Sequence, residues 1–299
     1  MSGIGSLFSG RSDANELFST LLSLKSPKNA KDYLIKTQRR INCYANSYDN
    51  ILERWKKCPC AKMNNIRPIV DRDLLRSNVI SKCAKNMSFD VSRFIDFLEG
   101  YAKVAEDVKP VMLHYAAIYL LDFFSRTWLN CESSTRHGLK MINEGTEKPD
   151  GVKVQILPKG FFSRIVDSFY LMNQQNFFSN DDETGYRKNF NICSGKWYPV
   201  LEKKKYLNRP KITLGELLSY YELLKDERIK SSIANKILTG YLILYLVSSI
   251  SRYKAKDWSE IRNDLRLINR IELVNFDFTS KWFPELILQK DIFKFLNEV

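Results

Sequence analysis

The sequence predicts a mainly α-helical protein: a compact, helical bundle-like domain with a minor β element in the middle of the chain. Three observations carry that expectation. Apolar residues recur at helical spacing along most of the chain. One short stretch, Val152-Lys153-Val154-Gln155-Ile156, alternates as a half-buried strand does. A chain of 299 residues with 44% hydrophobic content can bury a substantial core.

The elements follow in order. The first dozen residues are rich in Gly and Ser, a composition expected of a flexible N-terminus. Ser12 or Asp13 caps a short helix running through Leu24, with Leu17, Leu21 and Leu22 on one face. Ser26-Pro27 breaks the chain, and a long charged helix is expected from Ala30 to Lys57, burying Tyr33, Ile41, Tyr48, Ile51 and Trp55. Cys58-Pro59-Cys60 ends it. Two helices follow, Asp73–Lys85 and Asp90–Val108; in the second, Val91, Phe94, Phe97 and Leu98 keep helical spacing. Pro110 then opens a further helix, in whose first turn its missing N–H costs nothing.

The strand at Val152–Ile156 and the polar, turn-rich Phe177–Asn208, expected as an extended insertion or a small hairpin, change the character of the middle. Thr213-Leu214-Gly215-Glu216 is a capping-box signature for the next helix. Helices over Ile229–Tyr253, from about Asp257, and over Lys281–Asn297 complete the pattern. The regions are therefore 1–12, a helical stretch over 13–89, and a helical domain over 90–299 that carries the insertion near 177–208.

Charge narrows the function. Lys and Arg number 47 against 34 Asp and Glu, and this net charge of +13 points to an anionic partner, most commonly nucleic acid. Val111–Leu121 and Tyr241–Ile250 are too short for membrane helices and read as buried core, so no membrane partner is expected. No basic region precedes the apolar residues of the N-terminus, as a secretion signal requires. Six cysteines in a chain of this size indicate a reducing compartment, and the cytoplasm is expected. No P-loop, Gly-rich dinucleotide turn, HExxH or GxSxG occurs, so ATP hydrolysis, redox-cofactor chemistry and serine hydrolysis are disfavoured and no cofactor is expected. The Cys58-Pro59-Cys60 spacing does not match the common zinc knuckle, with Cys43 and Cys83 nearby and no histidine to complete it, so no metal is expected either.

Two regions qualify as sites. Tyr115, Tyr119, Asp122 and Arg126 fall at i, i+4, i+7 and i+11 on one helix face. With Arg136 and His137 from the following loop, they supply a general base, a cation for developing phosphorane charge and aromatic walls for a base. The competing reading is a core helix with buried tyrosine rings and a surface Asp122–Arg126 pair. His114, beside Leu113, reads as a satisfied core histidine. The second region is basic and aromatic: Lys196, Trp197, Tyr198, Lys203, Lys204, Lys205, Tyr206, Arg209 and Lys211. Rings that stack on bases, interleaved with ammonium groups that meet phosphates, suit RNA or single-stranded DNA. Lys36, Arg39, Arg40, Arg54, Lys56 and Lys57 form a further basic stretch, and all of these also read as ordinary solvated charge.

Several motifs, in order, resemble the YaaC-like family of uncharacterised prokaryotic proteins. They are Phe97-Leu98-Glu99-Gly100-Tyr101 with Ala105-Glu106, Lys109-Pro110 leading to His114-Tyr115-Ala116-Ala117, and His137-Gly138-Leu139. Val152–Ile156 with Gly160-Phe161-Phe162, Leu214–Ser219, Ser251-Arg252-Tyr253 with Trp258, and Phe283–Leu288 continue the order. Tyr115–Tyr119 followed by Arg136-His137-Gly138-Leu139 is more faintly similar to the HEPN helical superfamily, many of whose members are ribonucleases or nucleotide-binding partners in prokaryotic toxin and antiviral systems. That superfamily's Arg and His stand a few residues apart; here Arg126 and His137 are widely separated while Arg136 and His137 adjoin.

The YaaC-like resemblance implies no settled activity. The basic stretches point to a protein that binds RNA or DNA, and the HEPN likeness implies that it serves as one component of a prokaryotic, antiviral-type assembly, with a protein partner or a second copy beside it. Its enzymatic rival is a HEPN-like metal-independent ribonuclease. A non-catalytic protein-interaction scaffold, using Phe177, Phe178, Phe190, Trp197 and Tyr198 as an interface, is the third reading. Changing Lys203, Lys204 and Lys205 together to Glu is expected to lower affinity for single-stranded nucleic acid and flatten its salt dependence; unchanged binding removes that patch from consideration.

Overall fold

The structure, a computed structural model, describes residues 14–37, 72–128, 136–142, 148–157, 160–162, 165–166, 211–225 and 233–283. Among the described residues there are eight α-helices and one small antiparallel sheet, so the mainly helical class with a minor central β element holds.

Helices α1 (Ala14–Leu24) and α2 (Pro27–Thr37) meet at Ser26, with Pro27 at the first position of α2 where its ring fits. Leu21 and Leu24 of α1 are buried whereas Leu22 is exposed, because an i,i+3 pair rather than consecutive leucines faces the core; the Leu17 side chain lies outside the described residues. Helix α2 begins three residues earlier than Ala30, the start set by the proline. Its expected continuation to Lys57 and the expected mobile N-terminus both fall outside the described residues.

The two helices expected before and after Asn86 are one, α3 (Arg72–Tyr101). Nothing between Lys85 and Asp90 breaks a helix, and the buried series Ile80, Cys83, Ala84, Met87, Val91, Phe94, Ile95, Leu98 keeps helical spacing straight through the join. The Ser88 hydroxyl donates to the Lys25 carbonyl, fastening α3 to the α1–α2 turn. Helix α3 ends at Tyr101 rather than Val108, just after Gly100, whose position against the Met112 sulfur leaves little room for a side chain. Helix α4 (Lys109–Trp128) then returns antiparallel along it, with Pro110 in its first turn.

The sheet has the order β1 (Leu139–Ile142), β2 (Lys153–Ile156), β3 (Lys211–Thr213), all antiparallel. Leu139 pairs with Ile156 and Lys153 with Thr213. Only β2 was expected. The four residues of β1 and the three of β3 are too short to show alternation. The insertion expected over 177–208 lies outside the described residues.

The capping box is present as expected. The Glu216 amide donates to the Thr213 hydroxyl at 3.0 Å and the Thr213 amide to the Glu216 carboxylate at 2.9 Å, opening α5 (Leu214–Lys225). Helix α6 (Ile233–Tyr253) is the centre of the molecule, and every residue from Ile237 to Ile250 is buried. It touches α4, α5, β2, α7 (Ala255–Asn263), α8 (Leu265–Asp277) and a single π turn at Phe278–Trp282.

What was expected as one helix from about Asp257 is two, because Asp264 caps α8 by accepting from the Arg266 and Leu267 amides at 3.0 and 3.1 Å. The expected Lys281–Asn297 helix is helical to Phe283, and its remainder lies outside the described residues. No helix among the described residues is long and apolar enough to cross a membrane.

Gly240 lets the C-terminal elements close on α6. A Cβ there would stand 2.3 Å from Cε2 of the buried Phe278 ring and 3.2 Å from Tyr221. Gly240→Ala is expected to destabilise the fold by about 1–3 kcal/mol through overpacking. Urea denaturation checks this, and an unchanged midpoint would show that the Phe278 ring moves aside freely.

Candidate functional site

Both histidines of the chain, far apart in sequence, come together with ring centroids 5.6 Å apart. Helix α4 contributes His114 and Tyr115. The loop leading into β1 contributes His137. Helix α6 contributes Tyr241, Tyr245, Ser248 and Arg252, spaced i, i+4, i+7 and i+11 and thus on one face.

The His137 loop is held by its backbone. The Phe161 amide donates to the Arg136 carbonyl at 2.7 Å, the Phe162 amide to the His137 carbonyl at 2.9 Å, and the Leu157 amide to the Gly138 carbonyl at 2.8 Å. Two glycines make that approach feasible. Gly138 has φ 72° and Gly160 φ 136°, and a Cβ on Gly160 would stand 2.4 Å from both N and Cα of Gly138. Tyr245 closes the arrangement by donating from its hydroxyl to the Leu139 carbonyl at 3.1 Å, while its ring lies 6.0 Å from His137.

His114 is fully buried among Tyr115 (5.6 Å), Tyr241 (5.4 Å) and Tyr245 (5.7 Å). It is a core histidine as expected, but not a satisfied one: neither ring nitrogen has a hydrogen-bond partner among the described residues. The Tyr241 hydroxyl and the Ser248 hydroxyl are likewise without partners there. Burial, with the neighbouring His137 and Arg252, pushes the His114 pKa well below its ordinary 6.5. Burial and then Arg252 lower that of His137, which is only half-buried. Burial also holds the Tyr241 phenol protonated. The centre therefore holds two neutral imidazoles and the protonated phenols of Tyr241 and Tyr245.

Arg252 is its cation. Its Nε donates to the Ser248 carbonyl at 3.2 Å, and its guanidinium lies 5.9 Å from the Tyr115 ring centroid and 5.0 Å from that of Tyr253. Among the described residues no carboxylate pairs with it. A cation so placed opposes metal binding by the two imidazoles, and no group of three or more His, Cys, Asp or Glu converges among the described residues.

The expected site residues are distributed as follows. His137 is at the centre, and Asp122 is buried on α4 near Tyr241. The Arg136 side chain is exposed, and its carbonyl braces the loop. Arg126 belongs to α4, but its side chain, and with it the Asp122–Arg126 pair, lies outside the described residues. Tyr115 and Tyr119 stack on Phe97 of α3 at 5.2 and 5.6 Å, which commits their rings to helix packing. Of the basic region only Lys211 is described, exposed on β3. Lys196, Trp197, Tyr198, Lys203, Lys204, Lys205 and Arg209, with Arg39, Arg40, Lys56 and Lys57, lie outside the described residues. Tyr241, Tyr245 and Arg252 were missed as site residues. Their spacing on α6 repeats that of Tyr115, Tyr119 and Arg126 on α4, and that repetition was the available signal.

Neutral buried histidines make stability depend on pH. As pH falls below 6.5 the unfolded chain takes up protons that the folded state refuses, so stability is full above that value and declines on acidification. His114→Leu replaces partnerless nitrogens with apolar atoms and is expected to leave stability at about pH 7 unchanged or higher. It should also make the decline towards about pH 5 shallower, by up to about 1.4 kcal/mol per pH unit. Denaturation curves across that range check both, and an identical decline in the variant would mean that His114 is not the neutral group.

No protein-family model, curated protein or solved structure matches this chain.

Proposed function

We propose that the chain is a cytoplasmic nucleic-acid-binding protein, taking RNA or single-stranded DNA, that serves as one component of a prokaryotic, antiviral-type assembly. The half-buried Arg252 guanidinium carries this reading. It stands beside two neutral imidazoles with no carboxylate partner among the described residues. A partly desolvated cation with no carboxylate partner among those residues is complemented by an external anion, and a phosphodiester brings that charge together with a base for ring contact. The net charge of +13 supports the same partner class. A protein partner or a second copy completes the assembly in this reading. The ordered motifs similar to the YaaC-like family, and the fainter likeness to the HEPN superfamily, support its prokaryotic setting by analogy.

One observation favours a second reading, a HEPN-like metal-independent ribonuclease: the 5.6 Å approach of the two imidazoles. His137, the half-buried member, would take the proton of the attacking ribose 2′-hydroxyl and return it to the departing 5′-oxygen as the phosphodiester P–O bond breaks. Arg252 would stabilise charge on the phosphorane, and His114 would lie behind as a positioning residue.

Labelled single-stranded RNA and DNA, incubated with nuclease-free protein at low and high salt, separate these readings. Binding is expected to weaken steeply with salt. Arg252→Gln is expected to reduce affinity about tenfold or more with circular dichroism unchanged; undiminished binding would take Arg252 out of the interface. Cleavage abolished by His137→Ala would establish the ribonuclease, whereas RNA left intact by the wild-type protein would reject it.

A further inference from the structure

A run of aromatic rings crosses the α3–α4 face and ends beside Arg252. It starts on α3, where the Arg93 guanidinium stands 5.6 Å from the Phe89 ring centroid. Phe89 meets Tyr119 of α4 edge to face at 6.2 Å, Tyr119 stacks on Phe97 at 5.6 Å, and Phe97 stacks in turn on Tyr115 at 5.2 Å. Arg252 of α6 continues the run, 5.9 Å from the Tyr115 ring and 5.0 Å from the Tyr253 ring. Three helices contribute, yet no step exceeds 6.2 Å.

The ends of the run differ from its middle. Tyr119, Phe97 and Tyr115 are partly buried and brace α3 against α4, so they form a floor. Phe89 is 50% exposed and Tyr253 68%, and each lies beside an arginine. Single exposed rings are ordinary. Two that terminate one continuous aromatic run, each with its own cation, form the kind of patch that marks a binding surface.

We infer that this run is a track for single-stranded nucleic acid, with one base on Phe89, another on Tyr253 and the strand between them passing over the Tyr119–Phe97–Tyr115 floor. The inference rests on the proposed function and deepens it, by supplying the surface along which a strand reaches Arg252 and the histidines. Ring placement, rather than a count of charges, selects the partner. Every base has a face that stacks on an aromatic ring whatever the sequence, and an arginine beside the ring holds the adjoining phosphate. A duplex keeps its base faces stacked within itself, so the track selects unpaired strands. Lys85 and Lys82, at i−4 and i−7 from Phe89, are exposed on the same face of α3 and carry the cationic side past that end. The α3 carboxylates here are Asp96, 3.8 Å from Arg93, and Glu99, 3.9 Å from Lys103. Arg93 and Asp96 are each more than half exposed, and so open an ion pair gives way to phosphate at small cost.

Oligonucleotides with and without bases test the track. The ligand is a labelled single strand of about eight nucleotides, compared with an abasic sugar-phosphate strand of equal length. Phe89→Ala is expected to weaken binding of the base-bearing strand about tenfold, to leave the abasic strand unaffected, and to be rescued by Phe89→Trp. Unchanged affinity of Phe89→Ala for the base-bearing strand, with Arg252→Gln still weakening it, overturns the track and leaves the Arg252 reading in place. Equal losses for both strands overturn it too, because stacking acts only through bases. No binding of either strand by the wild-type chain overturns the track and the proposed function together. Ultraviolet crosslinking of the wild-type chain to a strand carrying 4-thiouracil needs no variant. Adducts are expected at Phe89 and Tyr253, and their absence from both rings in a bound strand rejects the track.

Discussion

The rest of the molecule depends on the complete burial of α6 between Ile237 and Ile250. A helix that presents no face to water cannot be stable by itself and must be enclosed on all sides. The α3–α4 pair, α5, the sheet and the C-terminal helices are that enclosure. The small residue at Gly240 and the π turn at Phe278–Trp282 are local adjustments that let large rings, Tyr221 and Phe278, approach this axis.

Such burial is costly for polar side chains, yet α6 carries Tyr241, Tyr245 and Ser248 through it, with the half-buried Arg252 one turn beyond Ser248. Tyr245 is anchored to the Leu139 carbonyl, which ties the helix to the sheet. Tyr241, Ser248 and the facing His114 are not anchored within the described residues, so their hydrogen-bonding capacity is left for groups beyond those residues. The two glycines at 138 and 160 belong to the same economy: by removing side chains they let two backbones touch and fix His137 beside His114.

Much of this was legible in the sequence where the signal is local. The Thr213–Glu216 box, the proline starts of α2 and α4, the strand at Lys153–Ile156 and the buried runs of α4 and α6 all declare themselves over a few residues. Longer-range features did not. The join within α3 was misread because Asn86-Met87-Ser88 looks polar, although Met87 is buried and continues the stripe. Strands β1 and β3 exist through pairing with β2, which no window of a few residues can reveal. The α4 half of the site was seen as a tyrosine stripe. Its counterpart on α6 went unread because the surrounding apolar residues made it resemble core, and the meeting of His114 with His137 is purely tertiary.

The sheet has one more consequence. Strands β2 and β3 are hydrogen-bonded neighbours, with Gln155 opposite Lys211, yet the chain travels from Ile156 to Lys211 between them. Both ends of that excursion are pinned, one by the strand register and the glycine contact beside His137, the other by the capped start of α5. The first part of that excursion is core: Phe161, Phe162, Ile165 and Val166 are buried, and the Phe161 and Phe162 amides hold the His137 loop. The run that begins as β2 thus serves two structures within a few residues, and a one-residue slip of β2 in the sheet would carry the brace of His137 away from His114.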